Sequence, residues 1–211
     1  MTPLSGQTVA EILSPDAPEA LALAVGLAGR IAADLGARVL RLSGAPGVRP
    51  ESRAFLDPGK DGVTASGPAF AEAARDLAAR ADAVVCDHAS LAVVGSAAAG
   101  RVLVAIAMSL RQPNQGTEFL VEAQSGLLDL VGDPDRQPLR LGGHQMAHSA
   151  GLAAYLALVS GLAARRNGET VAPARIDLLD IAVWLNWKTL GLASRGVAPP
   201  RRAGRLGEWP M

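Results

Sequence analysis

The residues best placed to do chemistry lie between Leu141 and Ser149, LGGHQMAHS, where a Gly-Gly turn leads into two histidines. His144 and His148 are four apart, so a helix would stack their imidazoles one turn above the other. The outline is that of H-E-x-x-H, but Gln145 stands where the general-base glutamate belongs, and no third ligand follows at a suitable spacing. The pair reads as two polar residues at a helix entrance, and no metal is expected. Cys86-Asp87-His88 holds the residue types of a nucleophilic relay. Neighbours on a strand point to opposite faces, however, so these three cannot form one relay, and Cys86 reads as a small buried core residue. Gly95 and Gly100 have the spacing of a phosphate loop, yet Arg101-Val102 occupies the place of its Lys-Ser/Thr. That loop needs the lysine for charge and the hydroxyl for magnesium, so the match is chance. No G-x-G-x-x-G follows the first strand-like segment. Arg195, Arg201, Arg202 and Arg205 cluster in a Gly/Pro-rich tail and read as solvated charge.

These groups must be positioned by a chain of 211 residues, 49% hydrophobic and formally neutral, with a pI near 6.8. That size fits one large domain, and the charge balance leaves no footprint for nucleic acid or an anionic membrane. One cysteine excludes an internal disulfide framework and fits a reducing, cytoplasmic setting. The first residues lack the basic and apolar regions of a signal peptide. Gly151 to Ala164 carries no charge and is apolar on every side, so it is expected to be buried all round. Its alanines and glycines make it only weakly hydrophobic, which favours a protein core over a bilayer.

Taken in order, Gln7–Leu13 predicts a strand, Ala17–Leu35 a helix ending at Gly36, and Ala37–Ser43 a second strand. Together they make a βαβ unit with parallel strands. Gly44–Gly62 reads as a long loop. A helix follows from Ser66, with Phe70, Ala73, Ala74, Leu77 and Ala81 on one face, and Asp82–Asp87 predicts a third strand. His88–Arg101 is weakly helical, Val102–Leu110 predicts a fourth strand, and Glu118–Leu130 a helix. Ile176–Leu192 predicts a further apolar helix carrying two tryptophans. Continuous apolar strands point to a parallel sheet covered on both faces. The expected fold is therefore α/β, a Rossmann-like doubly wound and mostly parallel sheet, with ligands beyond the carboxyl ends of its strands. One domain is expected over 1–192, with a flexible Arg/Gly/Pro-rich tail over 193–211.

Five segments, in this order, resemble class III CoA-transferases, the CaiB/BaiF family. ADLGARVLRLSGAPG (33–47) is similar to that family's ADLGA-V-I-K-V-E-x-P-G segment, and ARADAVVCD (79–87) to its ADV-V-V-E-N strand. TEFLVEAQSGLLDLVGDPDRQPLRLGG (117–143) resembles its Q-A-x-S-G-L…G-x-P-D stretch. AGLAAYLALVSGLAARRNGE (150–169) is similar to its AGLYAALGILAAL helix, and ARIDLLDIAVWL to the V-D-V-S-L-L-E-A-A stretch that follows. The resemblance covers nearly the whole chain but only the N-terminal half of the family.

The resemblance implies a Rossmann-like large domain, CoA or acyl-CoA as ligand, and interlocked dimers. It also implies transfer of CoA from an acyl-CoA to a free carboxylate through an aspartate or glutamate nucleophile. The family's nucleophile position, four before the glycine that opens the long helix, is Ala147 here. Alanine has no lone pair with which to attack a thioester. The histidine of the family's racemase branch would fall near Thr117. Glu118 matches the acidic residue after it, and Glu118 and Glu122 are the nearest alternative carboxylates. The family's Gly-Pro loop reads SPDAPE, its V-I-K-V-E segment ends at Ser43, and its N-F-R-P-G turn reads Asp87-His88-Ala89-Ser90. Lys60 matches a family lysine near the CoA phosphates. With Asp87 and His88, it is the expected CoA contact. The reading is a half-length CoA-transferase-like subunit that needs a partner, either a second chain of this type or another copy. The alternatives are a CoA-binding module without catalysis and a degenerate remnant.

Overall fold

The computed structural model describes residues 2–43, 49–198 and 202. Residues Thr8–Leu13 form strand β1, and alternation along it decides how the layers are built. Val9 and Leu13 face one core, and Ala10 and Ile12 face another. Five more strands flank it: β2 (Arg38–Ser43), β3 (Lys60–Thr64), β4 (Ala83–Asp87), β5 (Val102–Ala107) and β6 (Ala174–Asp177). All neighbours pair in parallel, in the order β3-β2-β1-β4-β5-β6. The connection direction reverses between β1 and β4, so a crevice opens between their carboxyl ends, where open α/β sheets accept ligands.

Helices cover both faces. On one lie α1 (Glu19–Asp34), α6 (Gln145–Arg166) and α7 (Leu178–Leu185), which share a core with Val39, Val85, Val104 and Ile106. On the other, α3 (Pro68–Arg80) packs through Phe70, Ala74, Leu77 and Ala78 onto Leu40, Leu42, Val84 and Ala105, and α4 (His88–Val94) joins it through Val94. The fold expected from the sequence is thus the one formed.

Four local expectations need correction. Part of the predicted loop 44–62 is structured: α2 (Pro50–Leu56) and β3 lie in it. The strand KDGVT is largely exposed and at the sheet edge. It has no apolar run to announce it, and register with β2 holds it there, Val39 opposite Lys60. The predicted helix 118–130 stops as α5 (Glu118–Gln124). Gly126 then adopts φ +78°, and Leu127–Leu130 continues as a 3₁₀ turn. The predicted helix 176–192 begins as β6 and resumes as α7 and α8 (Trp187–Ala193), interrupted at Asn186. The amide of Asn186 donates to the Ser125 carbonyl at 2.8 Å.

The fourth correction concerns α6. It is not buried on every side. Its inner face, including Ala147, Gly151, Ala154 and Leu158, is buried, while Leu152 and Leu156 are 50% and 55% exposed. Glycine allows the inner face to seat closely. A Cβ on Gly151 would lie 2.7 Å from the Ala24 carbonyl oxygen of α1, and one on Gly161 would lie 2.7 Å from Val102 of β5. By length and hydropathy α6 could cross a membrane, but here it packs against α1 and β5 as a sheet-covering helix.

The predicted tail 193–211 lies mostly outside the described residues. Arg202, read from sequence as solvated charge, is largely buried. Its guanidinium donates to Asp129 Oδ1 at 3.0 Å and to the carbonyls of Asp133 and Arg136.

Candidate functional site

Two places collect the residues singled out above: the start of α6, and the crevice between β1 and β4. At the first, His144 is the N-cap residue of α6 but makes no side-chain cap. The cap comes instead from a different helix. Glu118, in the first turn of α5, is 4% exposed, and its Oε1 accepts the backbone N–H of Met146 at 2.6 Å and of Ala147 at 3.1 Å. Its Oε2 pairs with His144 Nδ1 at 2.8 Å and accepts from Arg140 at 3.1 Å. A carboxylate at a helix N-terminus satisfies orphan amides and complements the helix dipole, so this contact fixes where α6 begins. Thr117, capping α5 by accepting from the Leu120 N–H, aims Glu118 there.

Glu122, one turn along α5, is fully buried. Its Oε2 accepts the Leu141 N–H at 3.2 Å, while Oε1 has no hydrogen-bond partner and lies 4.0 Å from Arg140 Nε. Burial raises its pKa, the Leu141 N–H and Arg140 oppose this, and the charge of Glu118 adds to it. Of the two alternative carboxylates, Glu118 is therefore fully engaged and Glu122 is closed to solvent. Ala147 is itself 0% exposed, with its N–H held by Glu118. The His144 and His148 rings stand edge to face, their centroids 6.4 Å apart.

At the second place, Asp87 ends β4 and is 1% exposed. Its Oδ1 accepts the Ser14 N–H at 2.8 Å and the Ser90 hydroxyl at 2.6 Å, and its Oδ2 accepts the Ser14 hydroxyl at 2.6 Å. Asp87 thus ties the exit of β1 to the exit of β4 at the switch point. His88 follows at the start of α4, half-buried, and its Nδ1 is buried without a partner. Cys86 faces the opposite core from the crevice, and burial, with Asp87 adding, pushes its thiol far above the ordinary value.

Lys60 is in neither place. Its ammonium, 1% exposed, lies 2.5 Å from Glu11 Oε2 on β1 and 2.7 Å from the Gly26 carbonyl. Arg41 on β2 reaches Glu11 Oε1 at 3.2 Å and Asp57 at 3.0 Å, completing a buried chain of charge under α1. Burial pushes the Glu11 carboxyl upward against the pull of Lys60 and Arg41. Gly29 leaves room for this network, since a Cβ there would land on Glu11 Oε2. Three of the expected residues thus separate: Asp87 and His88 share the crevice, and Lys60 spends its charge inside the sheet layer.

Sequence reasoning passed over Glu11 and Arg140, and took Ser14 and Ser90 only as parts of the SPDAPE loop and the Asp87–Ser90 turn, not as partners of Asp87. Glu11 carried a signal, as an acidic residue inside an otherwise apolar strand. Arg140 and Ser14 carried none, because their partners lie 22 and 73 residues away.

No family model matches the chain, and no curated protein matches it in sequence. Solved structures do resemble it. A crystal structure of a CAIB/BAIF family protein from Brucella suis superposes with a TM-score of 0.75 at 24% identity, over 96% of this chain and 60% of that one. Crystal structures of Rv3272 from Mycobacterium tuberculosis give TM-scores of 0.75 and 0.72 at 20% and 21% identity, over 92% of this chain. At these identities the likeness is one of fold. The chain spans about three-fifths of the length of these structures.

Proposed function

We propose that this chain is a CoA-transferase-like subunit of the CaiB/BaiF type that binds CoA or an acyl-CoA and lacks a nucleophile of its own. The observation that carries the proposal is the pairing of fold and sequence order. The five family-like segments run in sequence along a chain whose fold is matched over 96% of its length by a CAIB/BAIF family protein.

The ligand is assigned to the crevice at the carboxyl ends of β1 and β4. His88, half-buried at the start of α4 directly after β4, is the residue assigned to a polar group of CoA there. Asp87 holds the crevice's shape through Ser14 and Ser90 and does not offer a free carboxylate. Lys60 is a poor candidate for the phosphates, because Glu11 already neutralises it. Arg49, the exposed N-cap residue of α2, takes that role, its present partner being Glu19 at 3.5 Å. CoA supplies the thiol, and the chain's own residues bind and orient it.

The step this chain cannot perform is attack on the thioester. The family-like position is Ala147, Glu118 is engaged by Met146, Ala147, Arg140 and His144, and Glu122 is closed to solvent. In this reading the carboxylate is supplied by a partner polypeptide. Intact-protein mass spectrometry after incubation with an acyl-CoA, at concentrations where CoA is bound, tests this. The expected mass is that of the unmodified polypeptide. A stable acyl or CoA adduct would assign an active carboxylate within the chain and overturn the reading.

A further inference from the structure

Of the three histidines in the chain, His144 is the one whose ring meets a carboxylate among the described residues. Its Nδ1 lies 2.8 Å from Glu118 Oε2, and a ring nitrogen that close to a carboxylate oxygen carries the proton and donates it. The other nitrogen, Nε2, then holds the free lone pair. Arg140 Nη2 lies 3.2 Å from Nδ1 and donates to the same Glu118 oxygen at 3.1 Å, so the polar contacts of the ring all fall on its Nδ1 side. The side chain is 23% exposed. His144 thus keeps a basic nitrogen uncommitted on a ring whose tautomer and orientation are fixed.

The carboxylate behind the ring is itself held rigidly. Glu118 is buried, and its second oxygen accepts the N-terminal amides of Met146 and Ala147. A buried carboxylate that orients an imidazole and stabilises the imidazolium is the positioning half of a base dyad. His148, exposed one turn along α6, has no such partner, and its ring only stands edge to face with that of His144.

The path of α6 sets where this dyad lies. Gly161 packs on Val102, the first residue of β5, and Arg165 donates to the Asp82 carbonyl just before β4 at 3.0 Å. The last turns of α6 therefore lie at the amino edge of the sheet. Its start, with His144, lies at the carboxyl edge, where Ser14 and Asp87 frame the crevice.

We infer that His144, positioned by Glu118, is a general base that activates water against the thioester of a bound acyl-CoA. The identity of the substrate rests on the CoA reading above, and the dyad itself stands on the geometry of His144 and Glu118. Ala147 is inert, Glu118 is committed to the ring and Glu122 is closed to solvent, so water is the nucleophile left to the isolated chain. Nε2 takes a proton from water as the water oxygen bonds to the carbonyl carbon, and the carbon–sulfur bond then breaks. The imidazolium returns that proton to the departing thiolate, leaving a carboxylic acid and free CoA. The Arg140 guanidinium, beside the ring, supplies positive charge for the oxyanion that forms on the way.

Incubation of the purified chain with acetyl-CoA, followed by loss of the thioester absorbance, tests this. Turnover above the uncatalysed rate is expected, falling about 10²-fold or more in His144→Ala. Added imidazole should restore part of the rate of that variant, a rescue that a purely structural histidine would not show. Glu118→Gln replaces the orienting charge with a neutral amide and should lower kcat while KM stays near wild type. His148→Ala should leave the rate unchanged. Calorimetric binding of acetyl-CoA on the same samples separates the two readings. Acetyl-CoA that is bound, but hydrolysed no faster than by His144→Ala, overturns the inference and leaves the CoA reading standing. Absence of both binding and hydrolysis overturns both.

Discussion

Glu118 on α5 holds the backbone N–H of Ala147 on α6 at 3.1 Å, across 29 residues of sequence. Under the proposed reading, the contact joins one of the alternative carboxylates to the position that the family resemblance gives to the nucleophile. It makes the first a structural anchor and leaves the second an alanine. The contact therefore fixes where α6 begins.

Removing that anchor should loosen α6. Glu118→Ala strips an acceptor from two helix amides, from Arg140 and from His144, at a site 4% exposed. The expected loss is about 3 kcal/mol, the scale for orphaned buried donors, or roughly 6–12 °C in Tm for a chain of this size. Glu118→Gln keeps an acceptor for the amides and should lose less. Urea unfolding followed by circular dichroism measures both, and equal losses would contradict the anchoring role.

Glu122 should make stability depend on pH in the direction opposite to a salt-bridged carboxylate. Burial raises its folded-state pKa above the ordinary 4.5. Below 4.5 the group is neutral in both states and its contribution is fully present. As pH rises, the unfolded chain ionises first, so this contribution is lost until pH passes the raised folded value. Glu122→Gln should therefore be more stable than wild type near pH 7 and lose that advantage toward pH 4. The difference between the two unfolding curves isolates the effect, and a constant difference across that range would contradict it.

The Glu11–Lys60 pair predicts strong non-additivity. Lys60→Met leaves the buried Glu11 carboxylate without its nearest cation and should cost about 3–5 kcal/mol. Adding Glu11→Leu removes the stranded charge and should recover most of that loss. Chemical denaturation of both single variants and the double completes the cycle. Simple addition of the single losses would show that the two groups are not coupled.

Gly151 should tolerate no side chain. A Cβ there meets the Ala24 carbonyl at 2.7 Å and Leu27 at 3.0 Å, so Gly151→Ala must separate α6 from α1. The expected cost is about 1–3 kcal/mol despite the better helix propensity of alanine. Gly191, with nothing within 4 Å of its Cβ position, is the control, and Gly191→Ala should be neutral or slightly stabilising.

The central strands were legible because burial on both faces forces continuous apolar runs such as VLVAIA and AVVCD, and these announce a parallel sheet. The edge strands β3 and β6 were not, because a half-exposed edge needs no such run and takes its register from a neighbour. The exposed outer face of α6 was misread for a related reason. Composition says that Leu152 and Leu156 want cover, but not whether this chain's described residues provide it. At the candidate site, position 147 could be read in one dimension, since it needs only a count from Gly151. The engagement of Glu118 and the closure of the Asp87–Ser14 link depend on contacts 22 to 73 residues apart, which no local pattern encodes.

Calorimetric titration of the purified chain with CoA tests the central claim most directly. Saturable one-to-one binding is expected, weakened by His88→Ala in the crevice and unaffected by Phe55→Ser on the outer surface. Absence of any binding heat at millimolar CoA, together with no CoA-dependent rise in Tm, would contradict the account.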